Sequence, residues 1–346
     1  MKRIASVLAL VLAMLVAMPV SAAENTFRDA PQSHWAYDFV EQAAQEGWVT
    51  GVGEGRYNPE ANITGAEFLT MITKSLYLDE IGAGQPGEPW YQPYVNAAED
   101  HGMLTHGLGE KEVLDNPVNR YRMAAVLWSA AKEAGKVEYV DGGILAADGI
   151  TVMNNSNASR YIGDWASVPD EYQEAVLASY ALGLLSGNDS KGTFGGASSM
   201  TRAESAVVLC RINDLVRNGT EIQQYSAQVV ELVNKERAKE GLGALQVDDT
   251  LQKAAQARAR EIVEQFSHTR PNGTSCFTVL GEYGVSGYSM SGENIAMGYA
   301  TPEAVMIGWM NSPGHRANIL TASYDTIAVG CVEYNGAFYW VQLFLG

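Results

Sequence analysis

A degenerate repeat fills the N-terminal half of this chain and dictates how that half can bury a core. The first copy runs Phe27-Arg-Asp-Ala-Pro31, His34-Trp35-Ala36, Glu46-Gly-Trp-Val-Thr-Gly51 and Tyr57-Asn-Pro59, and closes on Ile63-Thr-Gly-Ala-Glu67. The second has Pro89-Trp90-Tyr91 and His101-Gly-Met-Leu104, and closes on Val118-Asn-Arg-Tyr-Arg122. The third has Ile162-Gly-Asp164, Leu182-Gly-Leu-Leu-Ser-Gly187 and Thr193-Phe-Gly195, and closes on Met200-Thr-Arg-Ala-Glu204. Such spacing signals three copies of one supersecondary unit sharing a core, at 27–80, 88–135 and 162–212 within 27–212.

Each copy reads helix, loop, helix. Trp35, Phe39, Val40 and Ala43 fall at helical spacing, and Gly47 follows where a left-handed cap would end the helix. Thr64 with Glu67, and Thr201 with Glu204, are capping boxes, so these pairs have a structural task. Arg120 and Arg202 fall in the first turn of a helix, where the helix dipole disfavours a cation. A bound anion would explain them. The Gly-, Asn- and Ser-rich insert 136–160 reads as an extended loop, and 213–224 as a polar linker.

The chain opens with Lys2-Arg3, an apolar run from Ile4 to Met18, and Pro19-Val-Ser-Ala-Ala23. This is the pattern of a secretory signal peptide over 1–23, cut after Ala22 or Ala23. No later run reads as transmembrane, so export to the exterior is expected. The net charge is -17, and cleavage would remove two further positive charges. That balance excludes nucleic acid and anionic lipid as partners of the whole surface. Three cysteines are too few for a disulfide scaffold, but Cys276 and Cys331 fit one bridge in an exported domain, with Cys210 left free.

The repeat motifs resemble S-layer homology domains. The resemblance implies a mainly α bundle with pseudo-threefold symmetry. It also implies a peptidoglycan-linked, anionic, often pyruvylated secondary cell-wall polymer as partner, on a Gram-positive-type cell surface. The family's Thr-Arg-Ala-Glu arginine contacts that ligand, which assigns the role to Arg120 and Arg202, with Trp35 and Trp90 beside them. The chain departs from the pattern at Gly65, which stands where the arginine belongs, and at Asn119 and Arg122 in copy two.

From 225 to 346 helical periodicity returns in Val229, Leu232, Val233 and Leu242, and again in Leu251, Ala255, Ile262 and Phe266. Thr301-Pro302 starts a helix, and Asn335-Gly336 joins two β-rich runs as a hairpin turn. Polar, turn-rich stretches carry His268 in Phe266-Ser-His-Thr-Arg270, Glu293 in Gly292-Glu-Asn-Ile-Ala296, and His315 in Trp309-Met-Asn-Ser-Pro-Gly-His-Arg316. Imidazoles and carboxylates bind metals or move protons near neutral pH. The ordered motifs resemble the CAP superfamily of secretory, venom-antigen and pathogenesis-related proteins. That resemblance implies an α+β fold, an α-β-α sandwich, with His268, Glu293 and His315 in one cleft. Where the family has a second acid, this chain has Ser312.

The chain is therefore expected to be multidomain. The expected function is a wall-anchored exported protein whose cleft receives an extracellular lipid, peptide or wall component without a required cofactor. The alternative is a metal-dependent extracellular hydrolase, with zinc on His268, Glu293 and His315 and a fourth position open. A serine-hydrolase reading of Ser312 fails, because no Gly-x-Ser-x-Gly turn surrounds it and Pro313 follows.

Overall fold

Two sets of buried apolar side chains divide the chain, one spanning Phe27 to Leu215 and one spanning Ile222 to Leu345. The computed structural model describes residues 25–346, so the leader expected at 1–23 lies outside the described residues. Among the described residues, no helix is long and apolar enough to cross a membrane.

The N-terminal half is helical. Its helices are α1 (Tyr37–Gln45), α2 (Gly65–Leu76), α3 (Gln92–Asp100), α4 (Lys111–Asp115), α5 (Arg120–Glu133), α6 (Asp170–Ala181) and α7 (Arg202–Asn218). Helices α2 and α7 begin with complete capping boxes: Thr64 accepts from Glu67 N, Thr201 from Glu204 N, and both glutamates return the bond. Asn119 caps α5 by accepting from Arg122 N. Just before these three helices the backbones close a ring. Ile63 N donates to Met200 O at 3.0 Å, Val118 N to Ile63 O at 3.0 Å, and Met200 N to Val118 O at 3.3 Å. All three side chains are buried. A Cβ on Gly65 would stand 2.6 Å from Val113 O, so close backbone approach favours glycine there.

Two stretches differ from their sequence reading. The insert folds into a small antiparallel sheet of β1 (Tyr139–Val140), β2 (Gly143–Leu145) and β3 (Val152–Met153). Ile144, Leu145 and Met153 are buried, so burial rather than local propensity orders it. The polar stretch 213–224 is almost wholly helical. Helix α7 runs to Asn218, Gly219 turns at φ +79°, and Thr220 with Gln223 makes a third capping box. Leu215 and Ile222 are buried, which ties the connection down.

The C-terminal half comprises α8 (Glu221–Lys239), β4 (Gln246–Val247), α9 (Asp249–Glu264), α10 (Thr278–Glu282), β5 (Ser291–Met297), α11 (Pro302–Asn311), α12 (Pro313–Ile319), β6 (Thr326–Tyr334) and β7 (Ala337–Leu345). The sheet order is β4-β6-β7-β5. Asn335 and Gly336, both at positive φ, turn β6 into β7 with Tyr334 opposite Ala337. One face, with Ile327, Val329, Cys331, Trp340 and Phe344, packs with α8 and α11 residues. The other, with Ala328, Val332, Val341 and Leu343, packs with α9 and α10 residues. A Cβ on Gly330 would stand 2.1 Å from Ala255 O, so its absence lets α9 lie close on β6.

Beyond β4 the edge of β6 is covered by side chains. Gln252 donates to Val329 O at 2.7 Å and accepts from Val329 N at 3.2 Å; Gln256 repeats both bonds with Cys331. Glu333 N then donates to Asp148 O of the insert at 3.0 Å, and Ile150 packs against the same core. Covering an edge in this way blocks pairing with another chain.

The expected Cys276–Cys331 bridge is absent: all three cysteines are free and buried. Cys331 points into the α8 and α11 layer, whereas Cys276 lies by Glu293 on the α9 side, so the sheet separates them. Burial pushes the Cys210 thiol up to about 11, and burial with the Glu293 charge pushes Cys276 up to about 12. Thiol titration of unreduced protein should therefore count three thiols in denaturant and react slowly with native protein. A count of one in denaturant would restore the bridge.

Candidate functional site

Helix α9 buries Leu251, Ala255 and Ile262, and it places Arg258 on the same stripe, fully buried. A guanidinium there needs partners on every side. Its Nε donates to Glu293 Oε1 at 2.9 Å, Nη1 to Glu261 Oε2 at 2.5 Å and Nη2 to Ser267 O at 2.9 Å. Strand β5 delivers Glu293, opposite Leu343, to this face. His268, just beyond α9, donates from Nδ1 to Glu293 Oε2 at 2.6 Å, while its side chain stays 59% exposed. Arg270 is buried and reaches both Glu261 and Glu282 at 2.6 Å. Acidic and basic side chains thus alternate in one chain: Glu282, Arg270, Glu261, Arg258, Glu293, His268. The paired carboxylates outweigh desolvation and raise the pKa of Arg258.

The loop after His268 returns on itself. Cys276 N donates to His268 O at 3.0 Å, Arg270 N to Thr274 O at 2.8 Å, and Thr269 bridges Ser275. This sets one donor atom each of His268, Cys276 and Glu293 within 4.8 Å of one another. That is the group of metal-ligand types gathered here, and His315 is not in it.

His315 lies in the first turn of the short helix α12 rather than in a loop. Burial, then the neighbouring His268, lower its pKa. Its backbone is tied to the site: Asn294 donates to His315 O at 3.1 Å, and Asn318 donates to Glu293 O at 3.2 Å and Asn294 Oδ1 at 2.8 Å. Ser312 stands between α11 and α12, half-buried and without a side-chain capping bond. Of the methionines near these motifs, Met306 is core, whereas Met290 and Met297 are exposed. Met310 lines a cavity of about 470 Å³ with Asn311, Pro313, Arg316 and Leu320.

In the repeat half, Arg202 and Arg120 are buried and hold equivalent places. Arg202 donates to Tyr57 O at 2.8 Å and Thr50 O at 2.9 Å, with its guanidinium 4.7 Å over the Tyr57 ring. Arg120 donates to Phe194 O at 2.8 Å and Ser186 O at 2.7 Å, 5.0 Å over the Phe194 ring. Arg202 Nη1 also lies 3.5 Å from Glu67 Oε1, so loop carbonyls account for Arg120, and carbonyls with this carboxylate for Arg202, before any bound anion is invoked. Trp35 and Trp90 are exposed. A cavity of about 160 Å³ is lined by Trp35, Arg120, Gly187, Asn188, Glu204 and Arg211.

Sequence reading missed Arg258, Glu261 and Arg270. The signal was there: Arg258 interrupts the apolar stripe of an amphipathic helix, which requires a buried counter-charge.

Each half matches a known family. The profile of the cysteine-rich secretory protein family, CAP, matches residues 230–344. That of the S-layer homology domain matches 26–69 and 162–206. The uncharacterized protein YkwD of Bacillus subtilis is 40% identical over 152 residues, covering 43% of this chain and 58% of that protein. The S-layer protein sap of Bacillus anthracis is 32% identical over 127 residues, covering 35% of this chain and 16% of that protein. The chain thus spans less than two thirds of either relative. A solved extracellular protein containing an SCP domain from Bacillus anthracis matches at 27% identity and TM-score 0.34, over 37% of this chain and 42% of that one. The N-terminal half of this chain carries S-layer homology domains, and residues 230–344 form a CAP domain of the cysteine-rich secretory protein family.

Proposed function

We propose that this is an exported, cell-wall-anchored protein whose S-layer homology repeats grip an anionic secondary wall polymer. Its CAP domain then presents a cleft at His268, Glu293, His315 and Ser312 to an extracellular ligand. The observation that carries the anchor is the equivalence of Arg120 and Arg202, each fixed by two loop carbonyls over an aromatic ring. With the ring of bonds through Ile63, Val118 and Met200, this supports approximate threefold symmetry among the copies. Each arginine then reaches the loop of a neighbouring copy, and by that relation Trp90 is proposed to serve Arg202 as Trp35, which lines one cavity with Arg120, serves Arg120. Gly65 leaves the third groove without a guanidinium, so two grooves bind. Arg120, held by carbonyls, keeps N–H groups for a carboxylate or phosphate ligand, whereas Arg202 Nη1 already faces Glu67 Oε1 at 3.5 Å and a ligand there would compete with that carboxylate.

At the cleft, both carboxylate oxygens of Glu293 are engaged, one by Arg258 Nε and one by His268 Nδ1. Exposed His268 remains to meet a ligand, so the geometry favours binding over hydrolysis. The anchor is tested by sedimenting the full mature protein with wall sacculi. Sacculi carrying their polymer should retain it, and stripped sacculi should not. Trp35→Ala should weaken retention about tenfold, the worth of one aromatic stacking contact, with unchanged melting. Equal retention by stripped sacculi would refute the polymer as partner.

A further inference from the structure

We infer that the insert 136–160 and helix α6 together form a binding site for an uncharged glycan that carries N-acetylamino sugars. This goes beyond the proposed function. The site shares no residue with the Trp35–Arg120 cavity, and the insert supplies most of its lining, so it belongs to this chain rather than to the repeat.

A cavity of about 560 Å³ opens between the small sheet of the insert and α6. That lies within the roughly 300–1,000 Å³ of small-ligand sites. Its floor is apolar: Ile144, Met153 and Leu177 line it and are buried. Its rim is polar, with Asn155 from the loop after β3 and Asp170, Gln173 and Glu174 from α6. Tyr139 of β1 stands on the same rim and is 51% exposed.

Hydrogen bonds order this rim before any ligand arrives. Tyr139 Oη donates to Glu174 Oε1 at 2.6 Å, which tethers the ring to α6. Asn155 Nδ2 donates to Gln173 Oε1 at 2.9 Å, and Gln173 Nε2 to Asp170 Oδ1 at 2.9 Å. Among the described residues, Asn155 Oδ1, Asp170 Oδ2 and Glu174 Oε2 have no such partner, so each can still accept.

The lining selects the ligand. Sugar hydroxyls donate to carboxylate and amide oxygens of this kind. A pyranose also has a face of C–H groups, which suits the flat, half-exposed ring of Tyr139. The aliphatic floor leaves a place for one small apolar substituent, and the methyl of an acetamido group is of that size. Two carboxylates line the cavity and no lysine or arginine does, so an anionic ligand is repelled. Both carboxylates already accept from side-chain donors, as members of a hydrogen-bonding array, which favours an uncharged sugar over a cationic peptide.

The experiment is titration of the full mature protein with chitotriose, the uncharged trimer of N-acetylglucosamine, followed by calorimetry and saturation-transfer NMR. The expected result is saturable binding in which the acetyl methyl protons receive most of the transfer, a readout that depends on no variant. Cellotriose, which has hydroxyls in place of the acetamido groups, should bind about fourfold more weakly or worse, the worth of one buried methyl. Tyr139→Ala should weaken chitotriose about tenfold, while Tyr139→Phe keeps the ring and most of the affinity. Tyr161→Ala, which removes an exposed ring outside the cavity, should bind as the wild type does. No saturation transfer in the wild type overturns the inference. So does cellotriose or trilysine binding as tightly as chitotriose, or a folded Tyr139→Ala with undiminished affinity.

Discussion

Arg258→Met is expected to destabilise the C-terminal half by about 3–5 kcal/mol, the usual cost of removing one member of a buried ion pair. Arg258 is 0% exposed, and its loss strands Glu293, whose side chain is 1% exposed, with His268 as its remaining side-chain partner. Glu261 keeps Arg270 and so suffers less. Urea unfolding at pH 7 should show the loss as a fall in midpoint. The pH dependence supplies a second check. A stranded, buried carboxylate has a folded pKa above its unfolded value, so the variant should regain stability as pH falls and lose it as pH rises through that folded pKa. The double variant Arg258→Met/Glu293→Met should recover most of the loss, since replacing a whole buried pair by apolar groups is often neutral. A single variant as stable as the wild type would show that the pair is not closed in solution.

Arg202→Ala should have the second largest effect, and it should act on two quantities. Removing the guanidinium leaves Tyr57 O and Thr50 O without their donors and takes the cation off the Tyr57 ring. Together these amount to about 3 kcal/mol of stability in the repeat half. Retention by polymer-bearing sacculi should also fall, measured well below the variant's melting temperature. Arg202→Lys keeps the charge but cannot reach two carbonyls and a ligand with one fork, so it should restore little of either. Full retention by a destabilised but folded Arg202→Ala would assign the arginine to structure alone.

What could be read in advance was what is decided locally. Thr64 and Thr201 announce their helices because a hydroxyl and a glutamate three residues on satisfy free N–H groups wherever they occur. Asn335-Gly336 announces its hairpin because few residues accept two successive left-handed conformations. What could not be read depends on partners far along the chain. Arg258 meets Glu293 across 35 residues, and the strands of the insert are two or three residues long, too short for any period. The disulfide expectation failed for a related reason. Two cysteines in one domain say nothing of which sheet face each occupies, and Cys276 and Cys331 fall on opposite faces. The stretch 213–224 misled because polar residues on the exposed faces of two helices look like a linker until Leu215 and Ile222 are seen to be buried.

The covering of β6 has a consequence for how such a protein can be assembled by recombination. Gln252 and Gln256 come from the same half as the strand, but the last rung, Asp148 O to Glu333 N, comes from the repeat half. A gene cut at Gly219 would therefore yield a C-terminal unit whose strand end is open to pairing with another copy of itself. The modules are thus less interchangeable than their separate cores suggest: the insert and the strand it caps are expected to be inherited together.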